Sequence, residues 1–277
     1  TLGDATPYNQ KGAAPAELAR HGRSGGGRVP EPRHLRNAPI REAIVDFRVK
    51  ARRELTAADL RPAVELLADA FPVVEEQYAR ETSLYLSTPA APPEAGGREL
   101  GLQGYTLKSS DGLEVAQLRV GGFTFNRLAP YTSWEELRPR AMSAWQIYAR
   151  TALPEAITRL GLRYVNYIEL PPGVRDLDEF LTGGPRIPAG WPQHLSAFLT
   201  YVVLHEPASR LAAAVKQSLE VRVGAPDVAL VLDIDAYCQE QLEPDAEGIQ
   251  RVLDDLHELK NRIFFSSLTE KCVRLFE

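Results

Sequence analysis

At 277 residues, 44% apolar and 25% charged, the chain has the size and composition of a soluble globular protein with one large domain or two modest ones. A net charge of −5 argues against a protein that wraps nucleic acid over its whole surface, and no run approaches the roughly eighteen apolar residues of a membrane span. The two cysteines, Cys238 and Cys272, lie far apart without a Cys-x-x-Cys spacing, which fits buried thiols in a reducing, cytoplasmic setting.

Residues 1–34 are rich in Gly, Ala, Pro and Arg, with Gly25-Gly26-Gly27 near the centre and few large aliphatic side chains, so the composition predicts a flexible tail. Arg20, His21, Arg23, Arg28, Arg33 and His34, with Arg36 just beyond, make it locally basic. It reads as a solvated tail or as an arm for an acidic partner, and it offers the one route to nucleic acid. Order should begin near residue 35. Val45, Phe47 and Val49 alternate with Asp46 and Arg48, the pattern of a strand with one wet face over 42–49. Thr56 is a candidate cap for a helix carrying Leu60, Val64, Leu67 and Phe71, which Pro72 stops. A strand over 78–87, a Pro/Gly/Ala loop over 89–97 and two β-rich runs, 104–109 and 113–128, follow, the runs joined through Ser110-Asp111-Gly112.

Ser133 with Glu136 forms a capping box for a helix over 133–160, whose stripe is Trp134, Leu137, Ala141, Trp145, Tyr148 and Ala152. Pro139 and Pro154 predict a kink or break, and Gly161 should end the helix. On the strand over 162–170, Leu162, Tyr164, Asn166, Ile168 and Leu170 form the expected inner face, with Asn166 its polar exception. A Pro/Gly-rich connection over 171–192, around a short helix at 176–181, is the best boundary between halves. Beyond it come an apolar strand at 195–205, a strand or helix at 210–223 and a buried strand at 228–235. The last long helix, 246–266, has the stripe Ile249, Val252, Leu256, Leu259 and Ile263, and Ser267 with Glu270 predicts a short final helix ending at Phe276. The fold class expected is α+β: two similar halves, 35–172 and 173–277, packed as one body, with largely antiparallel sheet against long amphipathic helices.

Several landmarks occur in order along this body: Asn37-Ala38-Pro39-Ile40 with Glu42-Ala43, then Gly161-Leu162-Arg163-Tyr164 with Asn166, then Leu232-Asp233-Ile234-Asp235, and finally Leu256-His257, Leu268-Thr269-Glu270 and Phe276. From about Leu35 to the end the chain resembles a sporadically distributed bacterial family of uncharacterised proteins of about this length. The resemblance implies one shared architecture and carries over no site residue. A sporadic distribution hints at an accessory role in a bacterial conflict or defence locus.

The strong chemical motifs are absent: no phosphate loop, no Gly-x-Gly-x-x-Gly, no Gly-x-Ser-x-Gly and no His-Glu-x-x-His. Asp233 and Asp235, at i and i+2 on a strand, share a face and are the candidate metal ligands, unless they cap a turn or pair with arginine. His205 and His257 are candidate proton carriers, or else hydrogen-bonded structural histidines; a Cys238/His257 nucleophile pair is a further option. Arg163, Tyr164, Asn166 and Tyr167 form a polar and aromatic cluster that could line a ligand pocket between sheet and helix, with Arg163 paired to Glu169 or Asp46 as the structural alternative. Leu253, Phe264 and Phe265 lie off the last helix's stripe and predict a homodimer interface. The reading is a non-enzymatic binding or interaction protein with no cofactor. A small-ligand pocket is the first alternative, and a divalent-metal enzyme built on Asp233 and Asp235 the second.

Overall fold

The computed structural model describes residues 30–85, 94–171, 174, 176–193, 195–207, 209–221, 228–244 and 246–277. The basic tail, up to residue 29, therefore lies outside the described residues. Nine strands form a single antiparallel sheet: β1 (Ile40–Lys50), β2 (Val73–Tyr85), β3 (Glu94–Lys108), β4 (Glu114–Arg119), β5 (Gly122–Leu128), β6 (Ala156–Glu169), β7 (Leu199–His205), β8 (Leu211–Val221) and β9 (Val228–Cys238). Their spatial order is β2-β3-β4-β5-β1-β6-β9-β8-β7. Helices α1 (Arg61–Leu66), α2 (Trp134–Ala152), α3 (Ala246–Ser267) and α4 (Glu270–Val273) complete the described body. None of them is long and apolar enough to cross a membrane.

This architecture corrects the expectation of two similar halves with sheet packed against long helices. The chain is α+β in the broad sense, but one continuous sheet dominates it. β1 pairs with β5 on one side and β6 on the other, and β6 pairs in turn with β9, so no boundary at 172 divides the sheet. The helix expected over 133–160 was overlong for a local reason. Leu153 adopts the left-handed conformation at φ 49° and closes α2 just before Pro154, and Ile157 and Leu160 belong to β6 instead. Pro139 stays inside α2 without ending it. Gly161 lies mid-strand, where a Cβ would stand 2.3 Å from the Arg159 guanidinium, so glycine here leaves room for that side chain.

Within the segment 210–223, which allowed strand or helix, Leu211–Val221 form strand β8, residues 222 and 223 lie outside the described residues, and residues 94–97 of the expected loop belong to β3. The cap of α4 is Thr269, whose Oγ1 accepts from the Cys272 N–H, two residues on from the Ser267 of the expected Ser267/Glu270 box.

Alternation sorts the sheet into two faces. Ala43, Val45 and Phe47 of β1 and Leu162, Tyr164 and Ile168 of β6 are fully buried under the helices. Phe47 stacks on Trp145 of α2 with centroids 4.0 Å apart, and Phe123 and Tyr148 pack around the same ring. The opposite face carries a hydrogen-bonded polar ribbon across strands β4 to β9. Arg119 donates to the Thr124 hydroxyl at 2.8 Å, which donates to Asp46 at 3.0 Å. Arg159 then joins Asp46 at 3.0 Å to both oxygens of Asp235 at 2.7 Å.

Because Trp145 is 1% exposed at the centre of that aromatic group, Trp145→Ala should lower the unfolding free energy by about 3–5 kcal/mol. Denaturant titration checks this. A loss below about 1 kcal/mol would mean the ring is not a core residue.

Candidate functional site

The candidate residues on β6 divide between the two faces. Arg163 and Tyr167 point to the polar face, while Tyr164 and Asn166 point under α3. Arg163 holds Asp233 in a two-pronged pair, with Nε and Nη2 each 2.7 Å from a carboxylate oxygen, in place of the expected Glu169 or Asp46. Arg41 lies over the Tyr167 ring at 4.9 Å. Asp233 and Asp235 thus share a face, as their spacing requires, but arginines occupy both carboxylates. No group of three or more His, Cys, Asp or Glu gathers as a metal site among the described residues. Asp235 ends the polar ribbon, and Asp233 pairs with Arg163 beside it.

Leu253, Phe264 and Phe265 are also placed differently from expectation. They are 0%, 6% and 4% exposed, and the two phenylalanine rings meet edge to face at 5.2 Å. The inward stripe of α3 is Ile249, Leu253, Leu256, Lys260 and Phe264, about one residue round from the stripe of aliphatics alone. The proposed interface side chains are therefore core within one chain. The fourth member of that stripe is the residue the sequence reading missed. A lysine at a core position of a helix, flanked at i−4 by Leu256 and at i+4 by Phe264, was the available signal.

Lys260 is 6% exposed, and no carboxylate pairs with it among the described residues. Its Nζ donates to Asn261 Oδ1 at 2.6 Å and stands 3.8 Å from the centroid of the Tyr164 ring. The ring face and one amide oxygen stabilise the ammonium less than water would, and burial pushes its pKa down to about 7. Beside it, Tyr164 and Tyr131 share a hydroxyl–hydroxyl hydrogen bond of 2.9 Å. Burial raises both phenols, Tyr131 to about 12, so both remain protonated. Asn166 donates to the Leu232 carbonyl at 2.9 Å.

These groups floor a cleft between the entry to β1, the start of α2 and the face of α3. Ala38, Pro39 and Ile40 form one wall, Tyr131 to Glu135 another and Arg33 to Leu35 a third, and Asn166, Lys260, Asn261, Phe264 and Phe265 complete the lining. Its water-accessible volume is about 120 Å³, several times the roughly 10–15 Å³ one water needs. Sequence places these parts for identifiable reasons. Ser133 caps α2 by accepting the Glu136 N–H at 3.2 Å, and the Trp134 indole donates to Asp254 of α3 at 3.3 Å. Trp134 also stacks on His257, centroids 4.7 Å apart. Burial and the neighbouring Lys260 push His257 down to about 4, so it is neutral at physiological pH, and its contacts are to Trp134 and Asn261. Cys238 and Cys272 are both buried free thiols, and burial raises Cys272 to about 12. His205 ends the edge strand β7. At the rim, Arg33 bridges Glu270 at 2.9 Å and Glu277 at 2.7 Å, tying the last tail residues to the C-terminus.

Comparison of the chain with protein-family models and with curated proteins returns no match.

A buried cation without a counter-charge costs stability, and the cost depends on pH. The folded-state pKa of Lys260 lies below the ordinary 10.5, so the destabilisation is full below about pH 7 and fades as pH rises towards 10.5. Lys260→Met, which conserves volume, should raise stability by roughly 3 kcal/mol at pH 6, with the gain shrinking steadily towards pH 10. Urea titrations at both values decide it; a destabilised variant at pH 6 would show that the ammonium is well paired.

Proposed function

We propose that this is a binding protein whose ligand, a small polar organic molecule, sits in the cleft between the β1–β6 pair and helix α3. One observation carries the reading: a lysine at the centre of an inward helix stripe, buried beside open volume, with no opposite charge to hold it among the described residues. Hydrophobic residues of similar volume would stabilise the protein better at this position, and such locally unfavourable polar groups concentrate at binding sites. Asn166 and Tyr131 add polar groups to the same walls, and Phe264, Phe265, Ile40 and Pro39 supply apolar ones. Asn166 and Tyr164 belong to the region of the cleft, while Arg163 and Tyr167 face away from it. A place in a bacterial conflict or defence locus is compatible with ligand sensing of this kind, and it rests on the family resemblance alone.

A fragment library screened by thermal shift tests the reading. A compound at ten times its Kd should stabilise the folded protein by about 1.4 kcal/mol, or roughly 3–6 °C. Ala38→Phe, which fills the cleft from its β1 wall, should abolish those shifts without unfolding the protein. Hits that shift Ala38→Phe as much as the parent would place the site elsewhere.

A further inference from the structure

We propose that the ligand of this cleft carries an oxyanion, a carboxylate or phosphate group, that pairs with the Lys260 ammonium and accepts the Tyr131 O–H. The inference rests on the cleft being a ligand site and adds the ligand's chemistry. Three independent features of the geometry converge on negative charge.

The first is Lys260. Its ammonium has three N–H donors, of which Asn261 takes one and the face of the Tyr164 ring offers only a diffuse acceptor. A bound oxyanion would satisfy a remaining donor with a charge-assisted hydrogen bond, the strongest kind available to it. The second is the tyrosine pair. Two hydroxyls 2.9 Å apart hold two protons, and only one can lie between them. Tyr131 lines the cleft and Tyr164 is fully buried behind it, so with Tyr164 donating to Tyr131 the second proton is free to be donated into the cleft.

The third is the start of α2. This 19-residue helix presents its N-terminus at the cleft wall, where partial positive charge gathers. The chain already places a carboxylate there: Glu135, exposed at the rim, accepts from its own backbone N–H, which holds its pKa below the usual range. That carboxylate belongs to a mobile type of side chain at a solvent-facing position, so it can yield to a ligand anion. It also repels one, which gives the proposal an unusual sign: removing an acid should strengthen binding.

Binding should be linked to protons. The groups facing Lys260 or its cleft are Tyr131, Tyr164, His257, Glu135, Arg33 and His34. Both tyrosines stay protonated, His257 stays neutral above about pH 4, Glu135 stays ionised, and carboxylates hold Arg33 charged. Lys260, at about 7, is then the group whose protonation an anion changes, and His34→Gln removes the remaining titratable ring from the rim. An anion raises the lysine pKa, so binding takes up a proton above pH 7, and affinity should fall by up to about tenfold per pH unit from 7 to 9.

The test is an NMR titration that follows the Trp134 indole N–H, with acetate, pyruvate and inorganic phosphate as anions and acetamide and ethylammonium as matched neutral and cationic probes. Expected are saturable shifts with at least one anion, weaker by tenfold or more in Lys260→Met and reduced several-fold in Tyr131→Phe. Glu135→Gln should bind two- to fivefold more tightly, and His34→Gln should retain the pH dependence. Dispersed spectra confirm that each variant is folded. If acetamide or ethylammonium binds as tightly as the anions, or Lys260→Met keeps full anion affinity, or Glu135→Gln binds more weakly, the oxyanion assignment is wrong while the cleft remains a ligand site. If no probe and no fragment moves the Trp134 signal, both readings fall together.

Discussion

The antiparallel pairing of β1 with β6 is the constraint from which the rest of the structure follows. It runs from Ile40 opposite Asn166 to Lys50 opposite Ala156, at the centre of the sheet. Because side chains alternate along each strand, this register fixes which residues of both meet the helices. It sets Ala43 opposite Tyr164 and Val45 opposite Leu162 on the inner face, and Ile44 opposite Arg163 and Asp46 opposite Gly161 on the outer one. A slip of one residue would put Arg163 under α3 and Tyr164 in the polar ribbon. Neither face could then be satisfied.

The two faces use charge in opposite ways. On the outer face every arginine of the ribbon has a carboxylate or hydroxyl at hydrogen-bond distance, and Arg159, at 6% exposure, has two carboxylates and the Tyr237 ring beneath it at 4.6 Å. Burial of a cation is tolerated there because partners replace the lost water. Under α3, Lys260 is buried to the same degree with an amide oxygen and an aromatic face. These two residues are equal in burial and unequal in partners, and that contrast is what the proposal of a ligand site under α3 rests on.

Much of the local structure was legible in the sequence. The inner face of β6, including its polar exception Asn166, follows from period-two alternation, and the start of α2 follows from Ser133 and Glu136, because both signals are local. What failed required information from elsewhere in the chain. Ala156 and Leu160 step on from Ala152 by four each, so the helical spacing of α2 runs into β6 by coincidence, and so short a pattern does not separate a helix from a buried strand; β1 on one side and β9 on the other decide it. The arginine partners of Asp233 and Asp235 lie some seventy residues away, so spacing alone could point as well to a metal. On α3, counting only aliphatics skipped Lys260 and rotated the stripe, which pushed Leu253 and Phe264 to its flanks and made an interface out of core. Including the lysine as a member of the stripe would have found both the true inward face and the candidate site.

The account therefore turns on the ionisation of one amine, and the direct measurement is the titration of Lys260 in the folded protein without ligand, followed through its side-chain carbon and nitrogen resonances by NMR. A midpoint near 7 is predicted, since burial with only Asn261 and the Tyr164 ring as partners disfavours the ammonium. A midpoint at or above the ordinary value of 10.5 would mean the charge is already balanced within the chain, and would contradict the reading of the cleft as a site that a ligand completes.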